Sequence, residues 1–129
     1  MFRQDLAATL AFRRKRAGQL GSKMRFFSAQ MEAYLTDDLW LSNARHSNAM
    51  AKALAVGLRG IAGVKIGDVP QENILFCELP MEMIRGLLAQ RFKFYHERWD
   101  SGVVRFVTSV ATSQTDIDDI LQAAWSLAI

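Results

Sequence analysis

The chain has one cysteine, Cys77, and two histidines, His46 and His96, among 129 residues. A single thiol permits no internal disulfide and suits a reducing compartment. The histidines lie far apart with that one thiol between them, a spacing that matches no zinc or iron ligand pattern, so no metal site is expected. No Gly-x-Ser-x-Gly elbow is present, which removes the commonest serine-hydrolase signature. Gly57, Gly60 and Gly63 lack the strand-turn-helix setting of a phosphate-cradling loop. Cys77 sits inside an apolar run, as an inert buried thiol does. Glu78 and Glu82 flank Pro80 with nothing to bring them together as an acid–base pair. No catalytic residue is assigned. No apolar run reaches the length of a membrane span, and the N-terminus lacks a secretory apolar region, so a soluble, cytoplasmic chain without membrane partners is expected.

What is present is ordinary for a globular protein: 50% hydrophobic and 22% charged residues, enough for one domain with a core. The net charge of +3 is unevenly spread. Arg13-Arg14-Lys15-Arg16, Lys23 and Arg25 load the front, and Asp116, Asp118 and Asp119 the back. A basic stretch on a helical pattern can be a solvated face, a phosphate site or a nucleic-acid contact. No reader motif or set of stacking aromatics accompanies it, so nucleic acid is not an expected partner.

The front of the chain is helical in period. Leu6, Leu10, Ala17 and Leu20 predict a helix over 2–20, and Met24, Phe27, Met31 and Leu35 a second over 23–35. Phe26, Ala33 and Tyr34 widen the second stripe beyond one core face. Thr36 is placed to cap a third helix over 37–59, whose face is Trp40, Ala44, Ala51, Leu54, Ala55 and Leu58. From Gly63 the period becomes extended. Residues 64–66 predict a short strand, and 74–79 a strand buried on both faces or nearly so. Pro80 opens a helix over 81–90 with Met83, Ile84, Leu87 and Leu88 inward. Two further strands follow, 92–95 and 103–108. Ser113 with Asp116 is a capping pattern for a last helix carrying Ile117, Ile120, Leu121, Ala124, Trp125 and Ala128. The fold class is α+β: a small antiparallel or mixed sheet of about four strands with helices on one face, after a helical N-terminal arm. Residues 1–129 form a single domain, with 1–35 as the arm and 36–129 as the α+β part.

One side chain is out of character. Arg105 stands in the β-branched run Val103-Val104-Arg105-Phe106-Val107. A buried guanidinium without an anion is costly. Arg105 therefore either snorkels to water from an edge strand or clamps a carboxylate, for which a planar fork of donors is suited.

Four segments in order resemble a known family. Lys23-Met24-Arg25-Phe26-Phe27-Ser28-Ala29-Gln30, Asn43-Ala44-Arg45-His46-Ser47-Asn48-Ala49, Pro70-Gln71-Glu72-Asn73-Ile74-Leu75-Phe76 and Val104-Arg105-Phe106-Val107-Thr108-Ser109 resemble stretches of the low-specificity L-threonine aldolases, which are fold-type-I pyridoxal-phosphate enzymes. The resemblance covers nearly the whole chain and corresponds to the C-terminal domain of a longer enzyme. It implies cleavage of β-hydroxy-α-amino acids to glycine and an aldehyde, with pyridoxal phosphate as cofactor in the complete enzyme. It implies that Arg105 binds the substrate carboxylate, that Arg25 lies near the cofactor, and that Lys15 faces the site. The gap from Lys15 to Arg25 is longer than in the family's commoner form. Ser22-Lys23 imitates a Schiff-base site, but Met24-Arg25 aligns it beyond that site. The cofactor lysine is thus not in this chain, which is expected to be inactive alone and to hold no covalent cofactor. The wide apolar stripe of the second helix makes a homo-oligomer, joined through the first two helices, the expected assembly.

Overall fold

The computed structural model describes residues 3–128; Phe2, where the first helix was expected to begin, lies outside them. The chain divides into two units, Met1–Leu39 and Trp40–Ile129. The boundary falls a few residues beyond the expected end of the arm.

The first unit holds α1 (Ala7–Arg16), preceded by a 3-10 turn, and α2 (Met24–Leu35). Gly18 ends the first helix at positive φ, +69°, where a residue without Cβ costs least. Thr36 does not cap the following helix. Its Oγ1 donates back to the Glu32 carbonyl at 2.7 Å, so it closes α2, and Asp37 and Asp38 then turn the chain through positive φ. None of the described residues of this unit is buried. Phe26, Phe27, Met31, Tyr34 and Leu35 all stand in solvent.

In the second unit α3 (Leu39–Leu58), which enters it from its second residue, leads into β1 (Lys65–Ile66), β2 (Ile74–Glu78), α4 (Met81–Ala89), β3 (Val103–Val107) and α5 (Gln114–Ser126). The sheet is antiparallel throughout, in the order β1-β2-β3. The segment expected as a strand over 92–95 is reduced to one bridge, Tyr95 against Arg105. Two backbone bonds of 3.1 and 2.9 Å close that bridge, beside β3 on the edge away from β2.

One face of the sheet is covered. Leu75 and Cys77 of β2 and Val104 and Phe106 of β3 meet Leu54, Ala55 and Leu58 of α3, Met83, Ile84 and Leu87 of α4, and Ile117, Ile120, Ala123 and Ala124 of α5 in one apolar cluster. At roughly 1.5–3 kcal/mol per large side chain removed from water, this layer dominates the unit's stability. The other face is open. β2 was expected to be buried on both sides, but its residues alternate, with Phe76 49% exposed. Trp40 and Trp125, counted on core faces by periodicity, are also exposed. Ser113 and Asp116 form the expected reciprocal cap of α5.

Candidate carboxylate-binding site

The open sheet face carries Arg105 at its centre. Strand alternation sends Val104 and Phe106 into the core and leaves Val103, Arg105 and Val107 on the other side. Register places Phe76 directly opposite Arg105 on one flank and Tyr95 opposite it on the other. Between Tyr95 and β3 the chain loops out and returns through Ser101-Gly102. Gly102 takes φ +87°, and a Cβ there would meet the Leu79 carbonyl at 3.0 Å. That loop brings Trp99 back over the face, edge-on to Phe76 with ring centroids 5.1 Å apart.

The guanidinium therefore lies among aromatic rings. Its Cζ is 4.2 Å from the centroid of Tyr95 and 5.7 Å from that of Trp99. Cation–π contacts of this kind contribute about 0.5–2 kcal/mol each. No carboxylate or carbonyl among the described residues accepts a hydrogen bond from it. Its Nε is buried without a partner, a condition that costs about 1–3 kcal/mol unless an acceptor arrives. The side chain is half-buried, neither sunk in the core nor free in bulk water. A cleft of about 300 Å³ opens beside it, lined by Lys93, Phe94, Tyr95, Arg105 and Val107. Lys93 adds a second positive charge to that cleft. The arrangement offers a planar donor group, lying over two aromatic rings, to an anion arriving from the open side.

The loops around β3 are pinned by the motif residues noted in the sequence. Thr108 donates through Oγ1 to the Ser47 carbonyl at 2.7 Å, and Asn73 donates through Nδ2 to the Thr108 carbonyl at 2.7 Å. Asn48 donates to the Gln71 carbonyl, and His46 Nε2 lies 2.7 Å from the Thr112 carbonyl. Three of the four segments that carry the resemblance are thus tied to one another, which gives those residues a structural reason for standing at those positions.

Lys15 lies on α1 and Arg25 on α2, both exposed and both in the first unit. Arg25 stacks on its neighbour Phe26, 5.0 Å from the ring centroid. Tyr95, Trp99 and Phe76 were not singled out as site residues by sequence. The alternation of residues 92–95 could have put Tyr95 on the Arg105 face; nothing local announces Trp99.

The described residues do not make a complete cradle for pyridoxal phosphate. Lys65 is held charged by Glu78, 2.8 Å away, which raises its pKa, the wrong direction for an imine-forming amine. Asp116, whose pKa is lowered by the amide and hydroxyl of Ser113, is committed to the α5 cap. No group of three or more His, Cys, Asp and Glu side chains gathers among the described residues to hold a metal. No described helix is long and apolar enough to cross a membrane.

The architecture is shared with enzymes of amino-acid chemistry. It superposes on glycine decarboxylase, the P-protein of the glycine cleavage system, over 77% of this chain and 24% of that one, with a TM-score of 0.63 at 20% identity, a likeness of fold alone. It also superposes on the threonine aldolase of Leishmania major, with a TM-score of 0.65 at 30% identity, over 76% of this chain and 29% of that one. The fold is therefore the α+β small-domain type that the pyridoxal-phosphate resemblance implies. The sequence goes further: it is 37% identical over 123 residues to the low-specificity L-threonine aldolase of Pseudomonas aeruginosa, covering 95% of this chain and 34% of that protein. The chain is homologous, over nearly all its length, to the low-specificity L-threonine aldolases, and spans about a third of their length. No protein-family model matches it.

Proposed function

We propose that this chain is the C-terminal portion of a pyridoxal-phosphate-dependent, threonine-aldolase-like lyase, and that Arg105 grips the carboxylate of its β-hydroxy-α-amino acid substrate. The observation that carries the proposal is the guanidinium itself: its Cζ over the rings of Tyr95 and Trp99, without a protein anion, in the lining of a cleft. When bound by the complete enzyme, the cofactor supplies the electron sink for breaking the carbon–carbon bond. Arg105 fixes the substrate's orientation by two parallel charge-assisted hydrogen bonds. Lys15 and Arg25 match the cofactor's anionic end by charge and are proposed as its contacts. The Schiff-base lysine comes from the remaining part of the enzyme, so this stretch alone is inactive. A reducing cytoplasm suits the unpaired thiol of Cys77.

The test is complementation. This chain with pyridoxal phosphate and L-threonine is expected to yield no glycine. Joined to a cofactor-lysine domain of a related aldolase, it is expected to yield glycine and acetaldehyde, and Arg105→Ala to lose at least about a hundredfold in kcat/KM. Turnover by the chain alone, or reconstituted turnover indifferent to Arg105, would sink the proposal.

A second reading is favoured by α2. A helix with Phe26, Phe27, Met31, Tyr34 and Leu35 all exposed presents a patch of the kind that drives association. We infer that two copies join through the first two helices. Light scattering is expected to give a dimer or larger at micromolar concentration, and a Phe27→Glu, Met31→Glu double variant a monomer. A wild-type monomer would contradict it.

A further inference from the structure

The aromatic side chains around Arg105 do more than shield it. Tyr95 and Phe76 are its two cross-strand partners, so backbone register alone brings them alongside. Trp99 is different. It reaches Arg105 only because the loop before β3 folds back, and it is held there by its edge-on contact with Phe76. The result is a chain of contacts, Phe76 to Trp99 to Arg105 to Tyr95, laid across the open face. An arginine normally has its fork oriented by a carboxylate neighbour. Here no described residue plays that part, and such a neighbour would compete with an incoming carboxylate for the same donors.

We propose that Tyr95 and Trp99 are positioning residues: they hold the Arg105 guanidinium in one orientation through its π faces, so that its terminal donors stay free for a ligand carboxylate. The proposal deepens the reading of Arg105 as a carboxylate clamp and rests on it. The division of labour is chemical. A π face stabilises a cation without using up its N–H groups in the guanidinium plane. It also limits the rotamers of a long side chain, so less freedom is lost when the anion binds. Trp99 carries the greater share of the specific prediction, since its placement depends on the loop and not on strand pairing.

The experiment follows the Nε–H resonance of Arg105 in the full chain, identified by its loss in Arg105→Lys. Sodium acetate is titrated against sodium chloride at matched ionic strength. In the wild type, acetate is expected to shift this resonance where chloride does not. In Trp99→Ala the apparent affinity for acetate is expected to fall about threefold or more, with native backbone amide shifts. Trp99→Phe is expected to restore it. If Trp99→Ala does not fold, Trp99→Leu keeps apolar cover on Phe76 while removing the π face, and the same loss is expected there. A folded Trp99→Ala or Trp99→Leu chain that binds acetate as the wild type does would overturn the bracing. Should acetate leave wild-type Arg105 unmoved, the clamp reading fails. The bracing is then decided by Nε–H hydrogen exchange, which accelerates in the Trp99 variants if the ring holds the arginine and is unchanged if it does not.

Discussion

Asn73 and Thr108 close on each other from both sides. The Thr108 amide donates to the Asn73 carbonyl at 3.0 Å, and the Asn73 side-chain amide donates to the Thr108 carbonyl at 2.7 Å. The pair locks the start of β2 to the end of β3, one pleat beyond Phe106 and close to the register that sets Phe76 opposite Arg105. Thr108 is 4% exposed, and its hydroxyl reaches on to the Ser47 carbonyl of α3. A helix and two strands are joined at one residue.

Replacing that hydroxyl tests the joint. Thr108→Val keeps the shape and removes the donor, leaving the Ser47 carbonyl only the acceptance it has within α3. The expected loss is about 0.5–1.5 kcal/mol, read as a lower urea midpoint at unchanged m-value. Thr108→Ser is expected to recover most of it. Equal stability of Thr108→Val and wild type would show that the contact contributes nothing net.

Gly102 controls the loop that carries Trp99. Gly102→Ala forces a side chain into positive φ and against the Leu79 carbonyl, for an expected cost of about 1–3 kcal/mol. The same substitution is expected to change the near-ultraviolet signal and emission of tryptophan. A variant as stable as the wild type would mean that the turn relaxes freely.

Cys77 is expected to be chemically silent in the folded chain. Burial pushes its thiol up from 9.0 to about 12, so iodoacetamide at pH 8 should modify it only after unfolding. The sign of the pH effect follows. The thiol is neutral in both states below about pH 9; above that the unfolded chain ionises first, so the stability contribution present at neutral pH is lost as pH rises toward 12. Cys77→Ala is expected to flatten that alkaline decline. Rapid native alkylation would contradict the burial.

Local signals were the legible ones. The Ser113 and Asp116 cap, the inward face of α4 and, Trp125 aside, that of α5 depend on residues a few positions apart, and they stand where the sequence places them. Thr36 misled because a threonine hydroxyl can bond backward to a helix carbonyl as readily as forward to an amide. The run from Ile74 to Leu79 misled because continuous apolarity does not say whether the second face is covered; Phe76 is left to meet Trp99 and not a helix. The α2 stripe has the width of a buried helix, yet the first unit contains too little chain to bury it. Arg105 was conspicuous by its type. Its aromatic frame was not, because Phe76 comes beside Arg105 through the pairing of β2 with β3 and Trp99 through the fold-back of the loop before β3.

The most direct measurement of the central claim is a crystal structure of an aldolase containing this chain, with pyridoxal phosphate and glycine bound. The expected result places both glycine carboxylate oxygens about 2.7–2.9 Å from the Arg105 guanidinium nitrogens, with Tyr95 and Trp99 against its faces. A glycine carboxylate held by a different cation, with Arg105 turned to water, would contradict the account.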